Sequence, residues 1–594
     1  MKSKIQTNWN FGLFYKSPSD PKIEADYKEL ENKCENFAKN FREFDLYKSD
    51  LSKIKLALEQ FELLDAKLSS AKPLLYFNYR KAIDTQDIKN EAEMSKGVDR
   101  LTKAQNKVLF FPLLLGKVDT SLQKKYLNEK SLSPFKRFLE ILFERAKYEL
   151  SEKEEKIMNL KSGPSYSLWV QMQEKILYSN TVKFKGKEIP LAEAQFKVHS
   201  LKTKDRHGLY KAILEVYKKV SPVAEAEINA IYTNKKINDE LRGFLKPESA
   251  TALDYQNSEE ELSRLVDTVT KSFGVSHQFY ELKAKLLNIK ILSYADRQAK
   301  IGEMKSSFSF DNSVSIVQNG FQKADVKFKD IFDSFLRNGQ IDVFPQKNKE
   351  GGAFCSGSFD NPTFVLLNHV DTLDSLKTLA HEMGHAIHSE LSKSQRPLYQ
   401  GYTTSVAEVA STLFENFAFE EVFEKLSDKE KIVALHDRLQ DDISTIFRQI
   451  ACFNFEKELH ERIRKEGAIS KEEMAKTLNK HMASYLGPKF KFIEDDGYTF
   501  VMWSHIRRFF YVYSYAYGEL ISKVLYSRYK KDKNYIEKIK GFLSAGSSKS
   551  PADIFKEAGI DTTKPDFIKE GISDIEKRIY ELEILARKAK LIKP

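Results

Sequence analysis

The run Leu379-Ala380-His381-Glu382-Met383-Gly384-His385-Ala386-Ile387-His388 constrains the local fold more tightly than any other part of the chain. His381 and His385 share a face if these residues are helical, about one turn (~5.4 Å) apart. The flanks agree with a helix. Asp371-Thr372-Leu373-Asp374 offers acceptors for an N-cap and first turn, and Leu376, Leu379, Ala380, Met383 and Ile387 recur at helical spacing. Gly384 is expected to leave room close to the imidazoles. The plain alternative is an exposed helix on which two histidines happen to fall. With only 11 histidines in 594 residues, an accidental His-Glu-x-x-His arises about one to two times in a hundred. Two imidazoles so placed can reach one zinc ion at about 2.0–2.1 Å each, and Glu382 beside the first can take a proton from water.

A hydrolytic zinc site needs a third protein ligand. A metzincin would carry Gly at 388 and His at 391, where this chain has His388 and Leu391, so that class is excluded. A glutamate on a later helix is the other common choice. Glu408, in Ser405-Val406-Ala407-Glu408-Val409-Ala410-Ser411-Thr412, lies 23 residues past His385. That leaves room for the first helix to end near residues 392–395, a loop through Pro397 and Gly401, and a returning helix. Glu415, two turns beyond Glu408 on the same face, is placed to support a metal-binding imidazole.

The chain is too long for a single core, so two lobes or one very large helical body are expected. Charged residues make up 30% and Gly plus Pro only 40 positions (24 + 16), a balance that suits a helix-rich protein. The net charge of +11 comes from Lys interleaved with Asp and Glu, as in 152–156 and 576–590. Such interleaving reads as a solvated helical surface rather than a nucleic-acid patch. Cys34, Cys355 and Cys452 are isolated thiols, which suit a reducing compartment. Residues 1–9 lead into no apolar stretch, and the longest apolar run, 108–115, is too short to span a bilayer. No membrane partner is expected, and the protein is placed in the cytosol.

Residues 21–160 read as successive amphipathic helices. A hairpin is expected at 182–190, and the domain boundary just beyond it divides a helical lobe, 1–195, from a catalytic domain, 196–594. The segment 362–368 reads as a strand ending just before the motif helix. It could offer an exposed edge to an extended peptide or serve as a buried buttress. The aromatic run 495–518 carries tyrosines at 511, 513, 515 and 517. On a helix Tyr511 and Tyr515 share one face, and one such pair with His505 could donate to an oxyanion. At least two of the four are expected in the core.

Taken together, the chain resembles the oligoendopeptidase F branch of the thimet-oligopeptidase-like zinc metallopeptidases. The resemblance runs through Trp9-Asn10-Phe11-Gly12-Leu13-Phe14-Tyr15, Gly352-Ala353-Phe354-Cys355, the motif helix, 406–412, and His505 with Phe510-Tyr511-Val512-Tyr513-Ser514-Tyr515. It implies a mostly α fold: a two-lobed helical ellipsoid around a deep central channel, with a small β-sheet beside the zinc-binding helix. It also implies one zinc ion on His381, His385 and Glu408, with Glu382 as general base. Short unfolded peptides are the implied substrates, gripped by Gly352, Ala353, Phe354 and the 362–368 strand. Two other readings are carried: a metallocarboxypeptidase on a related scaffold, and a non-enzymatic basic protein that binds nucleic acid. Oligomeric state is not legible in the sequence.

Overall fold

Helix caps set many of the element boundaries. Ser258 with Glu261 and Ser427 with Glu430 form reciprocal capping boxes, and Asp50 accepts from the backbone N–H groups of Ser52 and Lys53. The computed structural model describes residues 5–593, apart from the side chains of Glu152, Lys156 and Asn159. The four residues at which the argument against an apolar leader begins, 1–4, lie outside them. Helices run from Pro21–Phe41 to Asp566–Lys588, and the fold is mostly α, as expected. Thr203–Arg242 is the longest helix, 40 residues, or about 60 Å at 1.5 Å per residue. It stops at Gly243, whose φ of 82° is the left-handed conformation favoured just past a helix end. No helix among the described residues is long and apolar enough to cross a membrane.

Three small sheets interrupt the helices. Thr181–Phe184 and Lys187–Pro190 form the expected hairpin around Lys185 and Gly186. Leu292–Ser293 pairs in parallel with Phe490–Lys491. The third sheet has the order Ile341–Asp342, Phe364–Leu366, Phe354–Ser356, parallel on one side and antiparallel on the other.

That third sheet corrects one expectation. Phe364–Leu366 is flanked on both sides, so it offers no free edge; the free edge belongs to Phe354–Ser356. The Val365 N–H donates to the Gln340 carbonyl at 2.9 Å. The peptide groups of Phe364 and Leu366 therefore face Phe354–Ser356, and the peptide groups of Cys355, opposite Val365, turn outward.

Apolar packing falls into two clusters. One gathers residues from Trp9 to Phe143, the other from Leu177 to Ile592. The central strand joins them through its two-residue period: Phe364 and Leu366 belong to the first, Val365 and Leu367 to the second. Trp9 locks the near face, with its indole N–H donating to the Val365 carbonyl at 2.8 Å and its ring stacked 5.1 Å from Phe364. A strand buried on both faces reads as the continuous apolar run seen at 364–367.

Candidate active site

The motif helix is Leu373–Ser392, capped by the Thr372 hydroxyl, which accepts from Ser375 N–H at 3.2 Å. A short turn at Pro397–Tyr399 returns the chain into Thr404–Phe423, which carries Glu408 and Glu415. Gly384 is what lets the two helices touch: a Cβ there would meet Ser411 Cα at 2.8 Å and Phe414 Cβ at 3.0 Å. Its role is this helix crossing, not room beside the imidazoles. Gly518 does the same for the helix Tyr513–Lys531, since a Cβ there would meet Glu408 Cβ at 2.9 Å.

One ligand atom from each of His381, His385 and Glu408 lies within 4.8 Å of the others. Glu408 Oε2 is 3.6 Å from His381 Nε2 and 3.9 Å from His385 Nε2. The His381 Nδ1–H donates to Glu415 Oε1 at 2.6 Å, which leaves Nε2 free to bind a cation. Ser411 Oγ donates to Glu408 Oε2 at 3.1 Å. Two imidazoles and one carboxylate, converging beside a cavity, are a donor set that fits zinc.

Electrostatics divide the three neighbours in the motif. Burial works most strongly against a charge on His381, but the Glu415 hydrogen bond and the charges of Glu415, Glu382 and Glu408 together outweigh it and lift His381 to about 9, a proton that a bound cation would displace from Nε2. Burial, then the charge of His381, hold His385 far below its ordinary range, so it is neutral and ready to coordinate. Burial pushes Glu382 up to about 7; Glu408 and Glu415 add to this and His381 opposes it. A carboxyl poised near neutrality suits proton transfer at physiological pH.

The four tyrosines split cleanly. Tyr513 and Tyr517 are buried, the first donating to Asn257 Oδ1 at 3.0 Å and the second packed against Phe555 and Phe567. Tyr515 lines the cavity that holds Glu382 and Glu408, and its hydroxyl is 3.4 Å from His505 Nε2. Tyr511 meets Tyr515 edge-on, rings 5.2 Å apart. The helix begins only at Tyr513, so the expectation that one helix carries both Tyr511 and Tyr515 does not hold. Tyr511 is aimed instead by a turn in which Phe509 and Phe510 take φ of 44° and 59°, held where Phe510 N–H donates to buried Glu456. Burial, then the charges of Arg448 and Arg508, depress His505 to about 4, so it is neutral at pH 7.

The cavity of about 590 Å³ beside His381 is lined by Ala353, Thr378, Glu382, Glu408, Thr412 and Tyr515 among others. A second, about 510 Å³, borders His385 and includes Cys355, Gly357, Ser389, Lys393 and Tyr402. Ala353 and Cys355 thus place the free strand edge between the two; Gly352 and Phe354 line neither. Thr378 and Tyr402 were missed by sequence reasoning. Thr378 had a signal, three residues before His381 on a shared face; Tyr402, stacked 3.7 Å on His388, had none.

The family model for Peptidase family M3 matches residues 193–574, and that for Oligopeptidase F matches 115–178. An oligoendopeptidase F homolog of Borreliella burgdorferi is 27% identical, covering 98% of this chain and 99% of its own. A group B oligopeptidase PepB of Streptococcus agalactiae is 26% identical, covering 99% and 98%. A crystal structure of a peptidase from Chlamydophila abortus superposes with a TM-score of 0.83 at 22% identity, covering 98% of both chains. The oligoendopeptidase F structure from Enterococcus faecium gives 0.72 at 19%, covering 96% and 99%. At these identities the two structures establish the fold.

Proposed function

Because the chain belongs to peptidase family M3, a family of metallopeptidases that act on oligopeptides, we propose that it is a zinc endopeptidase cutting internal bonds of short unfolded peptides. His381, His385 and Glu408 hold one zinc ion per chain. The convergence of their ligand atoms within 4.8 Å, with Glu382 on the same cavity wall, carries this reading.

A zinc ion bound there makes water more acidic and polarises the scissile carbonyl. Glu382 takes the proton of the attacking water and later delivers it to the leaving amine. Tyr515, with Tyr511 and His505 behind it, donates to the oxyanion that develops on the carbonyl oxygen. Glu415 holds His381 in the ligating tautomer. Ala353, with Gly352 and Phe354 on either side of it, leads to the outward peptide groups at Cys355, along which the substrate backbone pairs with the strand edge. Backbone pairing of this kind makes side-chain specificity broad.

Two wider features belong to the same reading. A division near residue 195 into a helical lobe and a catalytic domain is supported by the family match that begins at 193. A channel between two lobes would exclude folded proteins. The unpaired Cys34, Cys355 and Cys452 support a reducing compartment such as the cytosol.

A quenched peptide blocked at both ends tests the assignment. Chelator-sensitive cleavage is expected. Cleavage only of peptides with a free C-terminus would instead favour the carboxypeptidase reading.

A further inference from the structure

The segment 506–510 joins His505 to Tyr511, the two groups packed against Tyr515, and side chains tie its backbone down at four points. The Tyr232 hydroxyl donates to the Ile506 carbonyl at 3.1 Å, and the Tyr166 hydroxyl donates to that of Arg507. Thr251 Oγ1 donates to the Phe509 carbonyl at 2.9 Å, and Phe510 N–H donates to Glu456 Oε1 at 2.8 Å. Each partner comes from a different element: the π-helical turn Gly163–Ser167, the helix Thr203–Arg242, the short helix Ser249–Asp254 and the helix Gln449–Glu466. A π-helical turn is a conformation that recurs at functional sites.

The need to satisfy buried carbonyls accounts for such ties one by one. It does not account for the turn they impose. Phe509 and Phe510 both hold positive φ, 44° and 59°, a strained arrangement for two successive bulky residues that persists only where its surroundings over-determine it. Glu456 is fully buried, and its second oxygen has no hydrogen-bond partner among the described residues. A carboxyl buried to hold one backbone N–H adds to the cost of the arrangement. Further contacts reinforce the clamp. Buried Arg507 is gripped by both oxygens of Glu227 at 2.7 Å, and the Phe509 ring lies 5.6 Å from Tyr166 and 5.9 Å from Tyr232. What the clamp fixes is the separation of its two ends. His505 Nε2 stands 3.4 Å from the Tyr515 hydroxyl, and the Tyr511 ring 5.2 Å from the Tyr515 ring.

We infer that Tyr166, Tyr232, Thr251 and Glu456 are positioning residues for the oxyanion donor. They set where His505 and Tyr511 stand, and through those two the direction of the Tyr515 hydroxyl. None of the four lines either cavity beside the ligand set, so they act through the turn alone. A donor aimed in advance needs no reorganisation as charge develops on the carbonyl oxygen. The effect on catalysis rests on the peptidase reading; the clamp itself does not.

Thr251→Val keeps the side-chain shape and removes the donor, while Thr251→Ser keeps the donor. Amide hydrogen exchange over 506–512, followed by mass spectrometry on the full chain, is expected to be about tenfold faster in Thr251→Val and restored in Thr251→Ser. On one quenched peptide, Thr251→Val should lower kcat about tenfold with KM unchanged, again restored by Ser. In a Tyr515→Phe background, Thr251→Val should add no further fall, because the hydroxyl it helps to aim is gone. Tyr166→Phe, which reaches the turn from another element, should repeat the pattern and serves if Thr251→Val does not fold. Unchanged exchange in both variants overturns the clamp. Faster exchange with unchanged kcat, or an equal fall with and without the Tyr515 hydroxyl, overturns the positioning role. Wild-type protein that cleaves no peptide counts against the peptidase reading, and faster exchange in the variants then leaves the clamp standing.

Discussion

Glu415 accepts a hydrogen bond from Nδ1 of His381 at 2.6 Å, and the opposite ring nitrogen faces Glu408 at 3.6 Å. Seven residues, two helical turns, separate the two carboxylates, so one helix supplies both the group that orients the imidazole and the group that shares its cation. Removing the Glu415 charge weakens that orientation without removing a ligand. Glu415→Gln is expected to lower zinc affinity by about 10- to 100-fold, read by competition with a chromophoric chelator. Unchanged affinity would make the contact incidental.

Glu382 is 6% exposed and touches the same cavity as the ligand set, yet it stands outside the three converging atoms. Glu382→Gln should therefore retain one zinc per chain while kcat falls by about 100- to 10,000-fold. Metal analysis alongside turnover separates the two effects. Activity near wild type would remove Glu382 from proton transfer.

Tyr515 lines the cavity, and Tyr511 reaches it through the Tyr515 ring. Tyr515→Phe is expected to lower kcat about 100-fold with little change in KM, and Tyr511→Phe to have the smaller effect of the same kind. Steady-state kinetics on one peptide distinguish this from core packing. Equal and negligible effects would return both rings to a structural role.

Acid should destabilise the fold through its buried histidines. Burial, then the charge of Lys283, hold His436 down to about 4, against Asp437, which favours its charge. The unfolded chain binds this proton near pH 6.5 and the folded chain only near 4. Stability from His436 is thus complete above 6.5 and declines as pH falls toward 4, by roughly 2 kcal/mol at pH 5. His388, fully buried and held to about 3, adds in the same direction. His436→Gln, which cannot titrate, should flatten the fall of Tm between pH 6.5 and 5. An unchanged slope would contradict the assignment.

What could be read in advance follows the range of the interactions. His381, Glu382, His385, Glu408 and Glu415 were legible because helical spacing fixes their relative faces over one or two turns. The core placement of two tyrosines was legible for the same reason, but the turn at Phe509 and Phe510 was not, since neither residue favours a positive φ. The central position of Phe364–Leu366 depends on a partner strand only two residues long, Ile341–Asp342, too short for a periodic signal.

Anomalous diffraction at the zinc edge, on crystals of the protein purified without chelator, tests the central claim most directly. The account predicts one ion bound by Nε2 of His381, Nε2 of His385 and the Glu408 carboxylate at about 2.0–2.2 Å. A zinc peak elsewhere, or an ion held by the two imidazoles with Glu408 turned away, would contradict it.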